Sequence, residues 1–306
     1  MILNLKLPMQ GPLDHVNAYL VKEGNESVLI DTGLPTQELV LTEYLRNYGN
    51  PDYVIITHYH PDHIGLVRLF KNSKILIHEK EIEYLNYILG NEYEREMKNY
   101  LTLNGFPESV VERMFKNVGR FRELIKDVSF NEVTEGDIVR IGSSEMRILW
   151  TPGHTMGHIC IDYNNDILFC GDHILPNVTP NVSLLRIDDD PLRAYLESLD
   201  KIEKINAKIY PAHGEPIENV KKRIEEIKQH HMRRLEEILK IIESKGKANG
   251  FEIATSISWY KRWDDLSPFD KQLAIGETLA HIKYLLNRNA IEEINVNNSI
   301  YYTRTS

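Results

Sequence analysis

His58-Tyr59-His60-Pro61-Asp62-His63 sets three imidazoles and a carboxylate within six residues, directly after the apolar run Tyr53-Val54-Ile55-Ile56. The run reads as a strand buried on both faces. The histidines therefore open a loop at a strand's C-terminal end, where open α/β-type sheets place their sites. His58 and His60, two apart in extended chain, project the same way. Pro61 suits the first turn of a helix, where its missing N–H costs nothing. Asp62 and His63 then point back at the same spot from another direction. Imidazole with carboxylate is a donor set for Zn²⁺, and also for Fe or Mn.

Working outward, the partners come after strand-like runs. Thr151-Pro152-Gly153-His154-Thr155 comes after Met146–Trp150, Gly171-Asp172 after Ile167–Cys170, and Pro211-Ala212-His213-Gly214 after Lys208–Tyr210. Each apolar run ends in a glycine-containing turn that offers one ligand. Upstream, Val16–Val21 and Ser27–Asp31 read as a hairpin turned at Glu23–Glu26, and Thr36–Tyr48 as a helix stopped by Gly49 and Pro51.

HYHPDH, TPGHT, GD and AHG, in that order and after LIDTG at 29–33, resemble the ordered motifs of the metallo-β-lactamase fold superfamily over roughly residues 14 to 215. The resemblance implies an α+β protein, an αββα sandwich with its site at one edge. It assigns His58, His60 and His154 to a first metal and Asp62, His63 and His213 to a second. Asp172 bridges the two, and Asp31 orients the cluster. GDHILPNVTPNV at 171–182 and the later helical tail resemble the branch with a C-terminal winged helix, akin to glyoxalase II-like hydrolases and beta-lactamase-like ribonucleases. An Asp at 172 fits the non-lactamase hydrolases, and His60 departs from the Glu of flavodiiron oxidoreductases.

Two divalent ions, zinc foremost, would hold a bridging hydroxide at neutral pH. Asp62 is placed to orient it or take its proton, while the second metal steadies the developing oxyanion. A thioester or ester of a small molecule is the favoured substrate. A metal-dependent ribonuclease or phosphodiesterase is the alternative, and a mononuclear-iron dioxygenase the third reading. His173, beside Asp172, is a candidate substrate contact or support, and His158 a packed or supporting residue. His15, His78, His230, His231 and His281 read as structural or surface residues.

The chain has 306 residues and a formal charge of −9. From Asn219 onward there are 15 Lys and Arg against 12 Asp and Glu, leaving 21 against 33 elsewhere. So acidic a remainder does not look like a polyanion-binding surface. In the tail, Lys221-Lys222-Arg223 and Arg233-Arg234 alternate with Glu225, Glu226, Glu236 and Glu237 in the manner of an ion-paired helix face. Nucleic acid is therefore not the favoured partner. No run of about 18 apolar residues is present and the N-terminus has no leader pattern. Cys160 and Cys170 read as buried thiols, so a cytoplasmic location is expected.

Two domains are expected, a catalytic one over 1–215 and a helical, winged-helix-like one over 216–306. A helical insertion at about 79–129 reads as Glu81–Leu89, Glu92–Leu103 and Glu108–Ile125, and would border the site. In the tail, Val220–Ser244 and Pro268–Arg288 read as helices. Ala290–Ile294 and Ser299–Thr303 form a hairpin across Asn297-Asn298. The stripe Ile224, Ile227, Leu235, Ile238, Leu239 and Ile242 must be buried, against its own module by default or in a homodimer.

Overall fold

The computed structural model describes residues 1–11, 13–116 and 118–305. Its contacts gather into two compact units. One comprises Met1–Asn86, Gly119–Pro180 and Glu197–Ile224; the other comprises Tyr87–Val118, Asn181–Leu196 and Glu225–Ser306.

The first unit holds two sheets. One runs in order through β1 (Ile2–Pro8), β2 (His15–Glu23), β3 (Glu26–Ile30), β4 (Tyr53–Ile55), β5 (Lys74–His78) and β6 (Phe130–Val133). It is antiparallel across β1, β2 and β3 and parallel from β3 to β6. The other contains β7 (Ile138–Ile141), β8 (Ser144–Trp150), β9 (Ile159–Tyr163), β10 (Ile167–Phe169) and β11 (Lys208–Tyr210), with only β10 and β11 parallel. Tyr19, Val28, Ile30, Ile55 and Leu76 from the first sheet share one core with Ile141, Met146, Ile148, Ile161 and Phe169 from the second. This is the expected sandwich, and burial of these facing rows is what drives it together.

The helices are α1 (Glu38–Tyr48), α2 (Pro61–Ile64), α3 (Glu79–Ile88), α4 (Asn91–Leu103), α5 (Glu108–Phe115), α6 (Val118–Ile125), α7 (Pro191–Ile202), α8 (Val220–Lys245), α9 (Gly250–Ser256) and α10 (Pro268–Asn287). Pro61 stands at the first position of α2, as its φ predicts. The continuous helix expected over Glu108–Ile125 is instead two, α5 and α6, and Asn117 between them lies outside the described residues. Strands β1 and β5 and helices α7 and α9 were not anticipated. Yet β1 alternates, with Leu5 and Leu7 buried, and β5 is an apolar run with Ile75 to Ile77 buried.

In the second unit, α4 contributes Tyr100, whose hydroxyl meets that of Tyr302 at 3.5 Å, and Asn104, whose Oδ1 accepts from Tyr302 at 2.7 Å. The terminal hairpin pairs β12 (Ile291–Val296) with β13 (Ser299–Arg304). Asn297 and Asn298 both have left-handed φ, of 50° and 65°, which is what a two-residue type I′ turn requires. Of the expected stripe on α8, Ile227, Leu235, Ile238 and Ile242 are buried within the chain itself.

His231 and His281 are interior residues rather than surface ones, their rings joined Nδ1 to Nε2 at 3.1 Å. Beside them Glu277 lies 3.2 Å from the Arg234 guanidinium and 3.8 Å from His230. Burial alone would raise the Glu277 carboxyl, but His230, His281 and Arg234 outweigh it and bring it from 4.5 to about 2. A carboxylate depressed on folding stabilises above its unfolded pKa and loses that contribution as pH falls through the folded one. Glu277 is thus worth about 3 kcal/mol near neutrality, lost between about pH 4.5 and pH 2. Urea titrations across that window should fall more steeply for the native chain than for Glu277→Gln; parallel curves would refute the assignment.

Candidate metal centre

The loops that follow β4, β8, β10 and β11 bring seven side chains together inside the first unit. His58 Nε2 lies 3.0 Å from His60 Nδ1, and His154 Nε2 lies 3.2 Å from the first and 3.0 Å from the second. A second group forms from α2 and the turn after β11. His213 Nε2 is 3.3 Å from Asp62 Oδ2, and His63 Nε2 is 3.6 Å from the same oxygen. Asp172 stands between the groups. Its Oδ1 faces His63 at 3.6 Å and His213 at 3.4 Å, while its Oδ2 faces His154 at 3.6 Å.

These spacings fit cations. Ligands about 2.0–2.1 Å from a tetrahedral zinc lie about 3.3 Å from one another. The buried Nε2 atoms of His63 and His213 and the Oδ1 of Asp172 have no hydrogen-bond partner within the chain. Such orphaned atoms are costly unless something else satisfies them. Among the described residues, three sets could hold an ion: His58, His60 and His154; His58, His63 and Asp172; and Asp62, His63 and His213.

The electrostatics differ between the two groups. Burial, then neighbouring imidazoles, hold His58 well below its ordinary value, and burial with His154 brings His60 down to about 3. Both are neutral and offer lone pairs. Burial would also depress His63, but Asp62, Asp31 and Asp172 outweigh it and hold the ring well above the usual range. Burial likewise opposes ionisation of Asp62, yet His63 and His213 pull that carboxyl down to about 2. Two carboxylates facing these rings give this group negative charge that a bound cation would balance.

Supporting groups set the tautomers of His58, His63 and His213. The Thr57 hydroxyl donates to Asp31 Oδ2 at 2.8 Å, so its oxygen accepts from His58 Nδ1–H at 3.0 Å and leaves His58 Nε2 for the cluster. His63 Nδ1–H donates to Asp31 Oδ2 at 2.8 Å, and His213 Nδ1–H to the His15 carbonyl at 2.8 Å. Asp31, named from sequence, has a left-handed φ of 60° immediately after β3, which costs about 1 kcal/mol for a non-glycine residue. The Asp172 N–H donates to His158 Nε2 at 3.2 Å, and His158 Nδ1 meets the Thr151 hydroxyl at 2.9 Å. Gly171, at φ +48°, allows this approach, since a Cβ there would sit 2.7 Å from His158 Nε2. His173 is wholly buried, its ring 6.0 Å from that of His158.

Sequence reasoning missed three supports: Thr57, the His15 carbonyl, and Glu81 in the first turn of α3. Glu81 is fully buried and accepts from the Tyr59 N–H at 2.7 Å, the Thr155 hydroxyl at 2.7 Å and the Gly157 N–H at 2.9 Å. Burial raises its carboxyl to about 7 against the pull of those three donors. Cys160 and Cys170 are free and buried, as expected.

The sequence pattern of the metallo-beta-lactamase superfamily matches residues 11–214. The "Beta-lactamase-like protein 2 homolog" of Caenorhabditis elegans is 26% identical over 83% of this chain and 75% of its own length. The "Lactamase-like protein nscB" of Arthroderma benhamiae is 28% identical over 71% of this chain, a match spanning only 40% of that longer protein. Among solved structures, a metallo-beta-lactamase family protein from Thermus thermophilus superposes with a TM-score of 0.83 at 29% identity, covering 99% of this chain and 98% of that one. No helix among the described residues is long and apolar enough to cross a membrane. With the family's pattern spanning both sheets apart from β1 and all seven clustered side chains, the chain belongs to the metallo-beta-lactamase superfamily and is a metal-dependent hydrolase.

Proposed function

We propose that the chain is a dinuclear hydrolase acting on a small thioester or ester. The observation that carries the two-metal reading is Asp172, whose two oxygens face different ligand groups. His58, His60 and His154 would hold one ion, and Asp62, His63 and His213 the other; the nitrogen-rich donor set favours zinc. When bound, the pair supplies Lewis acidity and a water acidified to about pKa 7. Asp62 has the most exposed side chain among the paired ligands, at 18%, and would be placed to orient that water or take its proton. Asp31, Thr57 and the His15 carbonyl keep the rings aimed, and no nucleophilic side chain is required. His173 serves as support rather than as a substrate contact, because it is wholly buried.

The small-molecule preference rests on charge. Part of the tail's basic character is consumed internally. Arg234 pairs with Glu237 at 2.8 Å and with Glu277, and Arg223 donates to the carbonyls of Leu175 and Val178. Helices α8 to α10 with the terminal hairpin are read as a winged-helix-like module that lends bulk rather than a polyanion grip.

One activity panel tests this reading. The metal-loaded protein is assayed on acyl-CoA and glutathione thioesters, simple esters, lactones, bis-nitrophenyl phosphate and single-stranded RNA. Turnover of thioesters or esters is expected, and His60→Ala should abolish it. Turnover confined to RNA or the phosphodiester would transfer the assignment to a nuclease, and activity surviving His60→Ala would refute the metal mechanism.

A further inference from the structure

Glu81 lies outside the ligand set, yet it touches both loops that deliver the first of the two groups. Tyr59, whose N–H it accepts, sits between His58 and His60. Thr155 and Gly157, its other two donors, come one and three residues after His154. The two loops are about a hundred residues apart in sequence, and one carboxylate ties them together. The Thr155 hydroxyl lies within reach of both of its oxygens, at 2.7 and 3.0 Å. Gly157 permits the closeness, for a Cβ there would collide with the backbone N and Cα of Glu81 itself.

The residue type is informative. Three neutral donors converge on one point, and only an acceptor-only group with several lone pairs satisfies them all. A glutamine would turn its own N–H groups against one of the donors. A buried carboxylate without a cationic donor is expensive, because its lost hydration is returned only by those hydrogen bonds. A fold that needed mere loop packing would be served better by apolar contacts. Glu81 also occupies the first turn of α3, where the helix's exposed N–H groups favour negative charge.

We infer that Glu81 is a positioning residue for the first metal: it sets the separation of the His58/His60 loop and the His154 loop, and so fixes the triangle of His58, His60 and His154 nitrogens. This rests on the reading of those histidines as the ligands of one ion. The hydrogen bonds of Glu81 go to the Tyr59 and Gly157 N–H groups and the Thr155 hydroxyl, not to the Asp62, His63 and His213 group. The two metal affinities should therefore separate when its hydrogen bonds are cut.

The test is a competitive metal titration against a chromophoric chelator, with Zn²⁺ and Co²⁺, on the native chain, Glu81→Ala, Thr155→Val and Thr155→Ser. His60→Ala and His213→Ala identify which ion is which. The native chain should take two ions. In Glu81→Ala and Thr155→Val the ion also weakened by His60→Ala should bind at least about tenfold less tightly, the usual scale for lost ligand supports. The ion weakened by His213→Ala should keep its affinity. Thr155→Ser retains the hydroxyl and should behave as the native chain does. If Glu81→Ala does not fold, the Thr155→Val and Thr155→Ser pair decides alone.

Unchanged affinity of the first ion in the variants overturns the role of Glu81 and leaves the two-metal reading standing. Equal weakening of both ions overturns it as well, since that is the mark of general disruption. A native chain that takes a single ion refutes the two-metal reading instead. Glu81 is then judged by whether that ion is weakened by Thr155→Val and restored by Thr155→Ser.

Discussion

Asp172→Ala is expected to lower hydrolytic turnover by at least about a thousandfold, some 4 kcal/mol of transition-state stabilisation. The size comes from position. This carboxylate is the one group that faces His63 and His213 with one oxygen and His154 with the other. If two ions bind as proposed, its removal would deprive both of a ligand and leave Asp62 Oδ2 as the carboxylate oxygen shared by His63 and His213. Stopped-flow or end-point assays on whichever substrate the native chain turns over would measure the loss. Metal analysis after dialysis should show both ions depleted. Retention of two tight ions with activity within tenfold of native would show that Asp172 does not bridge.

The second large effect concerns stability. Phe169→Ala should cost about 4 kcal/mol, the middle of the range for a truncated core aromatic. Phe169 is 1% exposed, and its ring lies 5.0 Å from that of Tyr19 and 5.8 Å from that of Tyr210. It therefore joins the two sheets. It also ends β10, three residues before Asp172, so the cavity left behind would loosen the strand that presents that carboxylate. Guanidinium unfolding of metal-depleted protein isolates the packing loss from metal binding. A change below about 1 kcal/mol would mean that the neighbours collapse into the space.

The clustered side chains were legible in the sequence because a metal site would write itself into spacing: His58, His60, Asp62 and His63 within one turn and loop, then single candidate ligands after short apolar runs. The sandwich was legible for a related reason, as β4 and β10 are continuous apolar stretches that stop at turns and β8 buries alternate residues. The supports that escaped notice carry no such mark. The His213 ring is held by the carbonyl of His15, and any residue at that position has a carbonyl. Thr57 acts through one hydroxyl shared between Asp31 and His58. Glu81 looks like any acidic residue in a helix's first turn, and only the fold reveals that it is buried. The break between α5 and α6 is hidden because amphipathic spacing continues across it.

His213 is also stitched to the start of the chain. Asn17 Nδ2 donates to the carbonyls of Pro211 and Gly214, and the Tyr19 hydroxyl donates to that of Pro211. In polymer terms, an ion shared by Asp62, His63 and His213 closes a loop of about 150 residues. A covalent cross-link over such a loop removes unfolded-state entropy worth about 5 kcal/mol. A cation gripped there would act as a reversible staple, so the group proposed to perform the chemistry would also shorten the list of conformations open to the unfolded chain.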